Sequence, residues 1–182
     1  MRQAMILVLA SGLLTAGGCS TGIKEGVGLV RGAKGVHAVI DPMPDAAARP
    51  LGQYTRFELG EFTDDFGGRA PRELFRLLPG KFAEQVADSP LPNRSGGRTL
   101  LIRGRVLHYE SEDMFGMITG PLEEVVARVE LVDAETGDVL AVGNCVGRTT
   151  NRVNKGVGKK AEGLAKAIVE WLKSRYPEPA ED

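Results

Sequence analysis

Apolar residues recur along this chain with two periods, one typical of strands and the other of helices. Alternation with a period of two predicts four strands, at Gln53–Phe62, Arg98–Tyr109, Glu123–Asp133 and Val139–Thr149. Apolar residues three and four positions apart predict two helices, at Pro71–Ala87 and from Val157 to Tyr176, with Pro177 ending the second.

Local signals refine this pattern. Pro79-Gly80 falls inside the first helix and predicts either two short helices or one kinked helix, because proline lacks the backbone N–H that a helix interior uses. The sequence from Asp133 to Gly137 predicts a tight hairpin between the last two strands. Strict alternation along Arg98–Tyr109 places His108 on the same side as Val106.

These elements follow one another in the order β-α-β-β-β-α. The order predicts an α+β fold, a two-layer sandwich with a mostly antiparallel sheet and the helices on one face. We expect the domain to span residues 53–176 and to be followed by a short tail, 177–182. The full length of 182 residues suits one compact core with appendages.

Residues 1–18 have the features of a signal peptide. Arg2 precedes an apolar run of eleven residues, Ala4 to Leu14, which is too short for a transmembrane helix of about 20. Small residues then lead directly to Cys19. This arrangement resembles the lipobox of bacterial lipoproteins, with Ala16 where that family usually has Leu. The alternative is an ordinary signal peptide followed by an incidental cysteine.

The lipobox resemblance implies cleavage before Cys19 and acylation of that residue with fatty acids such as palmitate. Two or three acyl chains anchor a protein stably, whereas one chain binds a membrane only marginally. Ser20 follows the cysteine, and in didermal bacteria the absence of Asp there resembles the signal for delivery to the outer membrane. The resemblance therefore implies an outer-membrane lipoprotein anchored in the inner leaflet and facing the periplasm.

Residues 19–52 have the composition of a tether, rich in glycine first and in proline afterwards. We expect this segment to hold the domain away from the bilayer. An alternative is that the GxxxG spacings between Gly22 and Gly32 form a close-packing face at the membrane interface.

Charge and cysteine content narrow the functional classes. Lys and Arg total 23 against 24 for Asp and Glu, a net charge of −1 that argues against a nucleic-acid-binding protein. If Cys19 carries lipid, Cys145 is left alone, so the core depends on packing rather than on an internal disulfide. We expect Cys145 to be a small buried residue, and no motif indicates a cofactor.

Two segments are candidates for contact with a partner. The loop before the third strand contains adaptable apolar side chains, at Met114, Phe115, Met117 and Ile118. The alternative is that this loop folds back over the end of the sheet. The second candidate is a basic cluster near the start of the last helix, formed by Arg148, Arg152, Lys155, Lys159 and Lys160. It could contact lipid headgroups, lipopolysaccharide phosphates or an acidic protein, or it could be an ordinary solvated surface.

Candidate catalytic chemistry is sparse. His108 lies near Glu110, Glu112 and Asp113, but a zinc site needs three or four ligands drawn mainly from His and Cys. The neighbours Asp64-Asp65 would diverge on a turn instead of facing each other across a glycosidic bond. We therefore expect no metal site and no enzyme. A hydrolase or metal-dependent enzyme using His108 is the alternative.

The order of several features resembles a known family. An aromatic-ended first strand, Leu78-Pro79 in the helix, His108-Tyr109 at a strand end and the Val129–Leu140 hairpin precede an amphipathic C-terminal helix. Together they resemble a family of uncharacterised bacterial lipoproteins, over residues 53–175. That family's fold is similar to the N-terminal domain of the translocation protein TolB and to the periplasmic domain of the curli-secretion lipoprotein.

This resemblance implies a binding or assembly module in the cell envelope and supplies no catalytic residues. Our hypothesis is a lipid-anchored protein that binds, or helps to assemble, an envelope protein or lipid partner. A subunit of an envelope transport or secretion complex is the alternative within the same compartment.

Overall fold

A computed structural model describes residues 33–41, 50–94, 96–110, 123–149 and 156–177. The strands are β1 (Ala33–Asp41), β2 (Tyr54–Asp64), β3 (Arg98–Tyr109), β4 (Glu124–Asp133) and β5 (Val139–Thr149). The helices are α1 (Arg72–Ala87) and α2 (Val157–Ser174), and a short 3-10 helix, Pro50–Gln53, precedes β2. The predicted α+β class is confirmed.

The five strands form one sheet in the order β1-β5-β4-β3-β2. Neighbouring strands pair antiparallel except β2 and β3, which are parallel and are connected through α1. This exception follows from chain direction, because a helix between two strands returns the chain to the starting end of the sheet. The sheet is therefore mostly antiparallel, as expected.

The predicted tether is wrong over residues 33–41, which form β1 at one edge of the sheet and pair with β5 from Ala33↔Thr149 to Asp41↔Val142. The 3-10 helix extends the folded part further, since Leu51 is fully buried. The structure therefore has one strand more than predicted, and this strand precedes all of the predicted elements. Its glycine-containing sequence matches tether composition, yet Gly35 lies where helix α2 approaches too closely for any side chain.

Both helices pack together, and α2 covers β1 and β5. Helix α1 is one continuous helix despite Pro79, and it buries Leu74, Leu78, Phe82 and Val86. Close approach of α2 to the sheet depends on glycine: a Cβ at Gly147 would lie 2.7 Å from the Lys160 carbonyl oxygen, and one at Gly163 would lie 2.9 Å from that of Lys34. Backbone contacts of this kind exclude even alanine.

The core lies between the helices and the inward positions of the strands, and Cys145 is buried there as expected. Burial raises the pKa of the Cys145 thiol to about 12, so it stays protonated at neutral pH. Within the described ranges, no helix combines the length and hydropathy needed to cross a membrane.

Candidate binding face of the sheet

The side of the sheet that faces away from the helices is the candidate functional surface, which we call the open face. Along β4 and β5, buried residues alternate with partly exposed ones. In antiparallel strands, residues directly opposite each other share a face. The strand registers therefore define rows of side chains that cross the open face.

One row is apolar. Val36 of β1 pairs with Val146 of β5, which pairs with Val126 of β4. On the outer strand β1, Val36, Val39 and Ile40 are 41%, 38% and 49% exposed. Exposed apolar side chains on an edge strand are unusual, because the unpaired edge is a template for pairing with another chain. We call Val36, Val39 and Ile40 the β1 edge.

The next row is basic. Asn144 of β5 pairs with Arg128 of β4, which pairs with Arg105 of β3. Beside it, Arg103 forms an ion pair with Glu130 at 3.2 Å. These arginines line a cleft of about 190 Å³ together with Glu61 and Thr63, which we call the arginine cleft.

Sequence reasoning missed the arginine cleft. The available signal was Arg103-Gly-Arg105, which puts two basic residues on the outward side of a predicted strand. Arg128 joins them only through the pairing of β3 with β4. Long-range pairing of this kind is not encoded in any local pattern.

The residues of the predicted basic cluster have different partners in the structure. Arg148 binds Glu124 across β5 and β4, with Nε 2.9 Å from Oε2. Lys159 binds Glu162 one turn further along α2, at 2.7 Å. Both pairs are partly exposed. Arg152 and Lys155 lie outside the described residues, and contact of this cluster with a partner stays a prediction.

Lys160 has a different environment from the rest of the cluster. Its side chain is only 2% exposed and its ammonium lies 2.9 Å from Oε2 of Glu123, which is also buried. The same ammonium donates to the carbonyl oxygen of Glu110 and lies over the ring of Tyr109, 4.2 Å from the centroid. Lys160 is therefore a buried cation. It contacts Glu110, which precedes residues 111–122, and Glu123, which follows them.

The predicted loop residues Met114, Phe115, Met117 and Ile118 lie outside the described part of the chain, as do Cys19, Glu112 and Asp113. Contact of this loop with a partner therefore stays a prediction, and so does lipidation of Cys19.

His108 lies on the opposite side from the one predicted. A register shift between Val106 and His108 inserts an extra residue, so Tyr109 points into the core and His108 is exposed. The His108 ring packs edge-on against Phe66, with centroids 5.3 Å apart. Within the described ranges, no group of three potential metal ligands is present.

Asp64 serves as a turn residue, consistent with its predicted structural role. Its Oδ1 accepts a hydrogen bond from the Phe66 N–H at 2.7 Å, and its Oδ2 accepts one from the Ala70 N–H at 3.1 Å. The neighbouring Asp65 lies 3.4 Å from Arg105 at the margin of the open face.

A cluster of polar side chains lies where β2 and β3 begin and β4 ends. The Tyr54 hydroxyl donates to Oδ2 of Asp133 at 2.7 Å, and Arg98 binds the same carboxylate. Hydrogen bonding from Tyr54, together with the backbone N–H groups of Glu135 and Thr136, lowers the pKa of Asp133 below 3.8. Burial, followed by the bond to Asp133, raises the pKa of Tyr54 to about 12. Asp133 thus joins β2 to the β4–β5 hairpin.

No family model and no curated protein matches this chain. Among solved structures, the chain is similar to PelC from Paraburkholderia phytofirmans, described as a dodecamer. The TM-score is 0.51 and the identity 10%, over 80% of this chain and 99% of PelC. A PelC variant with one substitution, in another crystal form, gives a TM-score of 0.50. At this identity the likeness shows a shared fold.

Two further structures are more distant. A Xanthomonas campestris protein assigned to the family DUF330 has a TM-score of 0.45 and 14% identity, over 76% of this chain and 94% of that one. A candidate lipoprotein from Caulobacter crescentus has a TM-score of 0.38 and 14% identity, over 67% of this chain and 93% of that one.

Proposed function

We propose that this chain is a lipid-anchored cell-envelope protein, held by Cys19 in the inner leaflet of the outer membrane, whose domain is an assembly module facing the periplasm. The β1 edge carries the assembly part of the proposal, because an edge strand with three exposed apolar side chains is suited to contact with another chain. The lipobox resemblance of residues 16–19 supports the anchor.

The position of β1 limits how far the domain can lie from the membrane. Residues 20–32 separate Cys19 from the first residue of β1, a span of 33 − 19 = 14 residue steps. A fully extended chain of that length reaches about 50 Å. The β1 edge would therefore work close to the bilayer, where neighbouring anchored copies are concentrated.

We assign a second copy of this chain as the partner of the β1 edge. Val36 of this edge begins the apolar row Val36–Val146–Val126, so a copy that contacts Val36 would cover a connected apolar surface on the open face. The PelC structures that share the fold are described as dodecamers, which supports self-assembly on this architecture. Association among anchored molecules also costs less entropy than association in solution.

A photo-crosslinking amino acid placed at position 36 of the full-length protein in cells tests this assignment. We expect a covalent product with the mass of two copies. The same probe at Arg56, whose side chain is 52% exposed on β2 at the opposite edge of the sheet, provides the control and should give no such product. A position-36 product containing a different protein, or no product, would contradict self-assembly through β1.

The anchor is tested separately by growth with labelled palmitate. We expect label in the wild-type protein and none in Cys19→Ser. Label retained by Cys19→Ser would contradict the anchor, whatever the crosslinking result.

A further inference from the structure

The geometry points to an oxyanion-binding site in the arginine cleft, where Arg105 and Arg128 would together hold a carboxylate or phosphate group of a ligand. This inference concerns the middle of the open face and is independent of the β1 edge and of the lipid anchor.

The first observation is the register of β3 and β4. Arg105 and Arg128 are directly opposite each other, on the same face of the sheet. Like charges in directly opposed positions are destabilising, in contrast to the neighbouring pair of Arg103 and Glu130. A sheet stabilised only by its own side chains would gain from an acidic residue at one of these two positions. A bound anion between the two guanidinium groups would remove the repulsion.

The second observation is how weakly this pair is neutralised. Arg105 has Asp65 at 3.4 Å, and the two side chains are 47% and 46% exposed, so water and solutes compete for that contact. Arg128 has no carboxylate within ion-pair distance among the described residues. Its Nε donates a long hydrogen bond of 3.4 Å to Oδ1 of Asn144. The remaining guanidinium donors of Arg128 are therefore available to a ligand.

The shape and lining of the arginine cleft suit one small anionic group. Arginine presents a planar fork of donors that matches the two oxygens of a carboxylate or phosphate. A volume of about 190 Å³ admits such a group with a few attached atoms. Thr63 at the lining can hydrogen-bond the ligand, while the carboxylates of Glu61 and Glu130 oppose the anion, that of Glu130 being paired with Arg103.

The test is thermal unfolding of the full-length protein in neutral detergent, followed by the fluorescence of buried Trp171. Inorganic phosphate and acetate are compared with sodium chloride at equal ionic strength, since salt alone screens the arginine repulsion. The variants are Arg128→Gln and Glu61→Gln, with Arg76→Gln on the exposed side of α1 as the matched control.

We expect phosphate or acetate to raise the melting temperature of the wild-type protein and of Arg76→Gln above the chloride value. Arg128→Gln should need at least about tenfold more anion for the same rise, because it loses charge-assisted hydrogen bonds. Glu61→Gln should need less anion. The more effective anion identifies the ligand group as phosphate or carboxylate.

Arg128→Gln also has a predicted effect without added anion. Its melting temperature in chloride should equal or exceed that of the wild type, because the substitution removes the repulsion from Arg105. An anion effect no greater than that of chloride, or an equal response of Arg128→Gln and Arg76→Gln, would overturn the site.

Discussion

The ammonium of Lys160 lies 2.9 Å from the carboxylate of Glu123, and both side chains are almost completely buried. Two charges of this kind stabilise each other only as a pair, since each alone would be left uncompensated in the interior.

Lys160→Met should destabilise the domain by about 3–5 kcal/mol, because it leaves the Glu123 charge buried without a cation. Replacing both partners, with Lys160→Met and Glu123→Leu, should recover much of that loss. Lys173→Met is the control, because Lys173 lies on the same helix and pairs with Glu170 on the surface at 2.8 Å; it should cost less than about 1 kcal/mol. Urea denaturation measures all three, and equal losses for Lys160→Met and Lys173→Met would contradict the buried-pair account.

The second prediction concerns the glycines between α2 and the sheet. Gly147→Ala should destabilise the domain by about 1–3 kcal/mol or more, because the new Cβ meets backbone atoms that can move only with the whole helix. Gly158→Ala, in α2 itself, is the control for Gly147 of β5, since the nearest neighbour of its new Cβ would be the Leu77 Cδ1 at 4.0 Å.

Gly158→Ala should change the free energy of unfolding by less than about 1 kcal/mol, in the stabilising direction. Thermal and urea unfolding distinguish the two substitutions. A tolerated Gly147→Ala would show that α2 does not approach the sheet as closely as described.

The third prediction concerns stability in acid. Because the pKa of Asp133 is lowered in the folded state, the unfolded chain binds a proton more readily than the folded domain below about pH 4. The stability from Asp133 is therefore present above its ordinary pKa of 3.8 and is lost as the pH falls through the lower folded value. Asp133→Asn should show a smaller loss of unfolding free energy between pH 5 and pH 2 than the wild type.

Asp138→Asn tests whether this effect belongs to Asp133. Asp138 lies in the same hairpin and is exposed, with its carboxylate bonded to the Thr136 hydroxyl. Its pH profile should run parallel to that of the wild type. Parallel profiles for wild type and Asp133→Asn would show that the Tyr54–Asp133 contact contributes no pH dependence.

Elements with strong local patterns were predictable. The strand bounds Arg98–Tyr109 and Val139–Thr149 are confirmed without change, and each strand begins just after glycines with positive φ, Gly96-Gly97 and Gly137. The hairpin is confirmed too, with Gly137 at a φ of 79°, where glycine is favoured. The C-terminal amphipathic helix ends at Ser174, two residues before its predicted end at Tyr176.

Features that depend on distant residues were not predictable. Strand β1 resembles a tether in composition because its glycine serves close contact with α2, some 130 residues later in the chain. Lys160 resembles a surface cation because Glu123, which neutralises it, lies 37 positions earlier. The arginine cleft likewise depends on the pairing of β3 with β4.

The most direct test of the anchored-protein account is the intact mass of the protein purified from its native membrane. We predict a mass that lacks residues 1–18 and carries two or three acyl chains, with fragmentation placing them at Cys19. An unmodified amino terminus, or retention of the first eighteen residues, would contradict the account.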